Sequence, residues 1–409
     1  NDKELAQVYA EKLLTGWYVP EDRAMLENLV QHHNLDRERY LKPLRSTKKE
    51  VYKVAVLFPF QLEENAVQAL RKNQFVADLY SGMLLAQDSL QKAGKKVELF
   101  TYDTGADTNQ VKQVLQLPEI ATMDLIIGPI YKSSSRIVSR FAKENNINVI
   151  NPLTQDIELA ENNPNLFLFE TSVVTQARKA ATFAYNSFEP KTAIIVYDNT
   201  RDDTLFAGTY RRHFESLGGK VQLFKKIDTK TTPNTTAIFS AIELKDAGHM
   251  LVASNAMTAA VNTLSLLESK QSALPLITYS TWLEVSQVSL QQLDEREVYF
   301  IHPKYVNYTA PAVKRFRKQY LSRYKVPPSA FAFAGYEMLF YFGNLMHKYG
   351  TRFNSALTTA GFTPGVFYKG YQYGTPQSVQ PYQNDNQYLP ITKLEDLQLQ
   401  VVNPVMEEE

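Results

Sequence analysis

Six histidines, His32, His33, His213, His249, His302 and His347, are the side chains best suited to hold a metal or move a proton. None stands at a metal-ligand spacing, and the adjacent His32 and His33 would point to different sides of a helix. Cysteine is absent, which excludes disulfides, thiolate catalysis and cysteine metal sites. No Gly-x-Ser-x-Gly elbow occurs, and no glycine-rich phosphate loop follows a strand. The acid pair Asp202-Asp203, just after a strand, reads as the start of a helix, where carboxylates complement the helix dipole. A catalytic centre needs a nucleophile beside a base, and none is legible. What remains is non-covalent recognition by hydroxyl, amide and aromatic side chains, and these gather at predictable places.

Those places are the ends of strands. Val51–Phe58 is a run rich in β-branched residues stopped by Pro59. Strands are predicted at Lys96–Tyr102, Asp124–Ile127, Ile147–Ile150, Thr192–Tyr197, Val221–Lys226, His249–Ala253, Leu276–Tyr279 and Val298–Ile301. Amphipathic helices alternate with them, such as the one carrying Phe75, Leu79, Met83, Ala86 and Leu90. Short apolar strands separated by helices predict parallel sheets covered on both faces. In such sheets ligands bind beyond the carboxyl ends of the strands. There the sequence places Phe60, Tyr131, Lys132, Ser133, Thr154 and Gln155 in a first α/β unit. Asn199, Ser254, Asn255, Tyr279, Thr281 and Trp282 take the same place in a second. These twelve are the candidate ligand-binding residues; no catalytic or metal-binding residue and no cofactor is expected.

Residues 1–48 are a helical segment of different character. Leu5, Tyr9 and Leu13 recur at spacing four, Pro20 restarts a helix, and Pro43 with Ser46–Glu50 reads as a linker. After two long helices at Ala312–Tyr324 and Ser329–Tyr349, the tail from 365 is rich in Gly, Tyr, Gln and Pro. It is expected to hold short antiparallel strands.

Composition narrows the partners. The 409 residues favour two or three domains, and 44% hydrophobic content supports a sizeable core. A net charge of +1 argues against nucleic acid or an anionic membrane surface as a partner. No run approaches a transmembrane length. The opening Asn1-Asp2-Lys3 carries no signal-peptide pattern, as in a cytosolic chain or one that starts after a removed export signal. With 24 Tyr and 22 Phe the chain is rich in aromatics, most of them expected in packing.

In order and spacing, several motifs resemble the type I periplasmic binding proteins, specifically the branched-chain amino-acid and amide receptor family. They are Lys53–Pro59, Ser81-Gly82-Met83-Leu84-Leu85-Ala86, Asp103-Thr104, Ile126-Ile127-Gly128-Pro129, Val149-Ile150-Asn151-Pro152, Ala193–Asp198, and Phe316–Tyr324 followed by Ala334-Gly335-Tyr336-Glu337. The resemblance spans about residues 51–402. It implies two doubly wound parallel-sheet lobes joined by three crossovers, near 170–173, 301–305 and 352–366. Lobe 1 would be 51–170 with 302–352, and lobe 2 would be 173–300 with 366–402. It further implies hinge closure on a ligand held in a cleft between the lobes.

Relatives of this kind place a serine four residues past the glycine of the Gly-Pro strand end, where this chain has Lys132, with Ser133 and Ser134 next. They place a threonine three residues past the following proline, where this chain has Gln155 beside Thr154. The loop that carries their ammonium-binding carboxylate here holds Thr281 and Trp282, with Glu284 two further on. An α-ammonium buried without such a carboxylate would be poorly paired, at a cost of several kcal/mol. The resemblance thus implies an extracytoplasmic solute-binding protein that captures an amino-acid-, amide- or carboxylate-like ligand for a membrane transporter or receptor. It would be periplasmic or anchored to the outer membrane. The alternative is a binding-protein fold reused as a protein–protein regulator of peptidoglycan synthesis, partnered by a cell-envelope enzyme, which the helical 1–48 segment and the altered ligand positions also fit.

Overall fold

The computed structural model describes residues 2–15, 20–37, 40, 46–61, 73–105, 107–160, 163–357, 361–373 and 384–403. The chain divides into two compact units, one of residues 1–170 with 308–386 and the other of 171–307 with 387–409. It passes between them at Glu170–Thr171, Asn307–Tyr308 and Asn386–Gln387. The third passage lies well after the expected 352–366, and residues 366–386 therefore belong to the first unit. The physical reason is aromatic packing. Tyr371 and Tyr373 are buried against Tyr341, and Tyr373 meets Phe167 edge-on at 5.4 Å.

The first unit opens with a helical hairpin, α1 (Asp2–Thr15) and α2 (Pro20–His32). Its small core is Ala6, Ala10, Leu26, Val30, Leu35 and Tyr40. The anticipated stripe is corrected here, because Leu5 and Tyr9 are 59% and 51% exposed. Helix α1 meets Leu26 and Val30 of α2 through Ala6 and Ala10, so its larger residues one position away turn outward. The expected linker is fastened rather than loose. Ser46 Oγ donates to Tyr349 O at 2.5 Å, Thr351 N donates to Thr47 O at 3.0 Å, and Lys49 Nζ meets Asp124 at 2.7 Å. Pro43 falls outside the described residues.

Strand β1 (Val51–Phe58) lies inside a five-stranded sheet with β2 (Lys96–Asp103), β3 (Leu125–Ile127), β4 (Asn148–Asn151) and β5 (Leu166–Leu168). The order is β2-β1-β3-β4-β5 and every pairing is parallel. From Val54 to Phe58, β1 is buried without interruption, as a strand covered on both faces requires. Helix α3 (Gln74–Lys92) packs on the later α12 (Ala330–Tyr349), and α4 (Thr108–Leu115) packs on α5 (Lys132–Asn145). The α3–α12 contact is backbone against backbone. A Cβ on Gly335 would stand 1.9 Å from Leu79 O, and one on Gly82 would stand 2.0 Å from Ala332 O.

The second unit repeats the plan with α6 (Val173–Ser187), β6 (Thr192–Tyr197), α7 (Arg201–Ser216), β7 (Lys220–Lys226), α8 (Thr232–Ser240), β8 (His249–Ala253), α9 (Met257–Ser269), β9 (Leu276–Tyr279), α10 (Leu290–Asp294) and β10 (Val298–Ile301). Its sheet runs β12-β11-β10-β9-β8-β6-β7, with β11 (Ile391–Glu395) and β12 (Gln398–Val401) joined as the antiparallel hairpin expected of the tail. Alternation along β6 builds two cores. Ile194 and Val196 face α8 and α9, while Ala193 and Ile195 face α6 and α7. Helix α11 (Pro311–Tyr324) and α12 complete the first unit. The fold is thus the predicted doubly wound α/β architecture, with a helical segment in front.

Candidate functional site

Strand order locates the site in each unit. In β2-β1-β3-β4-β5 and in β7-β6-β8-β9-β10 the order reverses at the first strand, so a crevice opens beyond the tips of β1 and β3, and of β6 and β8. In the first unit those tips are Phe60 and Tyr131. Gly128 makes the approach possible: its φ is +101°, and a Cβ there would stand 2.3 Å from Leu57 O. Phe60 is half-buried and meets Tyr80 edge-on at 5.5 Å, while Tyr131 is 37% exposed.

Tyr131 is also the N-cap of α5, and its side chain makes no capping bond. The first-turn N–H groups of that helix are therefore left for another acceptor at the carboxyl edge. Asn151 organises the surroundings. Its Nδ2 donates to Pro129 O at 2.9 Å and to Ser135 Oγ at 2.8 Å, and its Oδ1 accepts from Leu153 N and Thr154 N at 3.2 and 2.9 Å. This ties the β3–α5 turn to the loop after β4. Half-buried Thr154 and Gln155 sit on that loop, and Ser133 is exposed on the first turn of α5. Gln155 Nε2 donates to Glu170 Oε2 at 2.9 Å. The ammonium of half-buried Lys132 pairs with Asp156.

The second unit is braced by two aspartates. Asp198, at the tip of β6, accepts from Asn199 N at 2.7 Å, Thr229 N at 3.3 Å, Thr229 Oγ1 at 2.5 Å and Ser254 Oγ at 3.1 Å. Burial pushes its carboxyl up, but the donors, Thr229 Oγ1 foremost, outweigh burial and hold it below its ordinary value. One carboxylate thus fastens the ends of β6, β7 and β8. Asp203, in the first turn of α7, accepts from Thr200 Oγ1 at 2.6 Å and from the Tyr279 hydroxyl. Burial raises its carboxyl, the charges of Asp198 and Asp202 add to this, and the two hydroxyl donors oppose it.

The expected residues separate into two groups here. Asn199, Asn255 and Thr281 are exposed, and Thr281 Oγ1 donates to Asn255 Oδ1 at 2.7 Å. Tyr279 is half-buried against Phe206, ring centroids 5.4 Å apart. Ser254 and Trp282 have no exposed surface. The Trp282 indole lies in the core with Met250, Leu267 and Phe300, and its Nε1 donates to Ser254 O at 2.8 Å. In this structure the indole offers no face for stacking, and it braces the β8 tip instead. Glu284 is exposed. Sequence reading missed Asn151, Asp198 and Asp203 as organisers of the edge. The available signal was a polar residue directly after an apolar strand, at Asp198 and Asn151. Among the described residues no group of three or more His, Asp or Glu could hold a metal. Among them, too, no helix is long and apolar enough to cross a membrane.

Two parallel α/β units, with the chain passing between them three times and a polar rim at each switch point, define the architecture of a solute-binding protein. The sequence profile of the periplasmic binding protein family matches residues 76–387, and the chain belongs to that family. Solved structures agree on the fold. A Rhodospirillum rubrum protein classed with branched-chain amino-acid ABC transporters aligns with a TM-score of 0.67 at 16% identity, over 86% of this chain and 100% of that one. A substrate-binding protein of a Streptococcus pneumoniae branched-chain amino-acid transporter, solved with isoleucine, aligns at 0.53 and 17% identity over 87% and 100%. A Rhodopseudomonas palustris solute-binding protein solved with 3,4-dihydroxybenzoic acid aligns at 0.52 and 14% identity over 86% and 95%. No curated protein matches the chain in sequence.

Proposed function

We propose that this chain is the extracytoplasmic solute-binding component of an ABC-type uptake system and catalyses nothing. Its solute is a small molecule with a carboxylate or amide end. One observation carries the reading: the N-terminus of α5, left without a side-chain cap, opens at the switch point of the first sheet beside Tyr131, Thr154 and Gln155. Backbone N–H groups and the positive helix end receive a carboxylate or an amide oxygen there. In the second unit Asp198 is saturated by its own donors, so an ammonium finds no ready partner in it. Carboxylates that lack an α-ammonium, the benzoate type among them, are therefore favoured over zwitterionic amino acids. The family match supports solute binding, and it lends nothing to the alternative of a peptidoglycan-synthesis regulator.

The test is a thermal-shift screen with leucine, isoleucine, aliphatic amides and hydroxybenzoates, followed by isothermal titration of each hit. A hit should weaken about tenfold or more in Tyr131→Ala and in Thr154→Val, the loss expected when a stacking face or a hydrogen bond to a charged group is removed. If no compound raises the melting temperature at millimolar concentration, or if hits ignore both substitutions, the reading fails.

A further inference from the structure

Helices α6 and α7 lie side by side on one face of the second sheet. Ala177, Ala181 and Ala184 of one share a core with Phe206, Tyr210 and Phe214 of the other. Beside that core the seam turns polar. Half-buried Thr182 and His213 meet across it, Oγ1 to Nε2, at 3.0 Å. Thr182 Oγ1 donates to Arg178 O at 3.1 Å, so it accepts from Nε2–H and leaves Nδ1 to take up the ring's second proton. With about 3.6 residues per turn, Thr182 falls between Arg178 and Lys179 in azimuth, one turn further along, so the two cations flank it.

The charges here are of one sign. Burial lowers the pKa of His213, and the nearby charges of Arg178 and then Lys179 lower it further. Helix α6 carries no acid. The acids of α7 are engaged or distant: Asp202 and Asp203 stand in its first turn, at the far end, and Glu215 pairs with Arg211 at 3.0 Å. Arg212 Nη2 donates to Thr209 Oγ1 at 3.3 Å, and Lys191 pairs with Glu189 at 2.9 Å. Lys179 differs from these. It is half-buried, and it makes no hydrogen bond or ion pair with a described residue. An ammonium partly removed from water, with a second cation and a histidine as neighbours, is a repulsive arrangement that a bound anion relieves.

From this we infer that the α6–α7 seam is a site for a phosphate-type anion, with the Lys179 ammonium as its counter-charge and His213 as a ring that charges when the anion is seated. A tetrahedral oxyanion has oxygens enough to meet an ammonium, an imidazolium and a guanidinium together, and a carboxylate has only two. None of these residues stands among the candidate solute-binding residues at the carboxyl edges, so anion and solute bind independently.

Proton NMR of the histidine rings in the full chain tests this, with the His213 signal identified by its loss in His213→Asn. At fixed ionic strength, replacing chloride by inorganic phosphate should raise the midpoint of the His213 titration by about one pH unit, equivalent to about tenfold tighter binding of phosphate to the charged ring. Lys179→Gln should abolish the rise and Lys179→Arg should keep most of it. Arg178→Gln should diminish it, and Thr154→Val, at the carboxyl edge of the first unit, should leave it unchanged. A titration identical in chloride and phosphate, or a rise undiminished in Lys179→Gln or in Arg178→Gln, overturns the proposal. So does an equal rise at exposed His32, which would mark a general salt effect, and so does a rise lost in Thr154→Val. Sedimentation with phosphatidylcholine vesicles, with and without phosphatidylglycerol, decides the source of the anion. Binding that needs phosphatidylglycerol and weakens in Lys179→Gln assigns the site to a lipid headgroup. A His213 response to inorganic phosphate without vesicle binding assigns it to a free phosphate.

Discussion

Glu337 on α12 is 1% exposed, and its carboxylate receives the turn that follows Gly365. Val366 N donates to Oε1 at 2.7 Å and Phe367 N donates to Oε2 at 2.8 Å. Desolvation dominates nonetheless and raises its pKa from 4.5 to about 7, with the backbone donors of Phe367, Val366 and Tyr368 pulling the other way. Tyr336, Tyr368 and Tyr371 feel the same charge. A folded value above the unfolded one means that, between pH 4.5 and 7, the folded chain holds a proton the unfolded chain has released. Stability from this group is complete below pH 4.5 and is lost as pH rises through 7. Integrating over that window gives a loss of about 3 kcal/mol. Urea unfolding of the wild type and of Glu337→Gln, at pH values from about 4.5 to 8, isolates the effect, because every other titrating group cancels in the difference. The wild type should lose ground relative to Glu337→Gln as pH rises, with the change levelling off above about pH 7. A difference that is constant with pH, or that moves in favour of the wild type as pH rises, refutes the account. It would mean that the three N–H donors, rather than desolvation, set the charge state.

Two further outcomes follow from packing and burial. Gly335→Ala puts a methyl into the Leu79 carbonyl, so the α3–α12 contact must open; a loss of about 2 kcal/mol or more should appear in urea unfolding, and a neutral result would show that the helices separate freely. His249 is wholly buried with Nε2 2.6 Å from Tyr210 OH, and burial, assisted by Lys191, lowers its pKa to about 3. Its contribution is complete above pH 6.5 and is lost as pH falls toward 3, so His249→Phe should flatten the acid limb of the unfolding curve; an unchanged limb would locate acid sensitivity elsewhere.

Much of the fold was legible because its signal is local. Thr192–Tyr197, His249–Ala253, Leu276–Tyr279 and Val298–Ile301 are continuous apolar runs, and the structure gives them those same limits. Leu166–Leu168 escaped notice, since three residues are too few to show a period. In α1 the choice between the Leu5/Tyr9 face and the Ala6/Ala10 face depends on how closely α2 approaches, and size alone pointed to the wrong one. The assignment of 366–386 failed for a related reason. Strands of two residues, Thr363–Pro364 and Gly370–Tyr371, are held by Tyr371 and Tyr373 against a helix far away in sequence.

At the candidate site the same distinction decides what could be read. A strand's end is a local fact, so Tyr131, Thr154, Asn199 and Asn255 could be placed at the carboxyl edges from sequence. Whether a side chain there faces solvent depends on what lies over it. Trp282 follows β9 much as Tyr131 follows β3, yet five residues of tight turn after Tyr279 fold its indole back onto the core. Asp198 and Lys132 show the electrostatic counterpart: nothing local in the sequence tells that Thr229 and Ser254, or Asp156, are brought to them by other loops. The recognition proposed for this chain therefore rests less on charged side chains than on backbone N–H groups at a helix start, which no residue type announces. The Gly-Pro turn and the missing cap at Tyr131 together expose them.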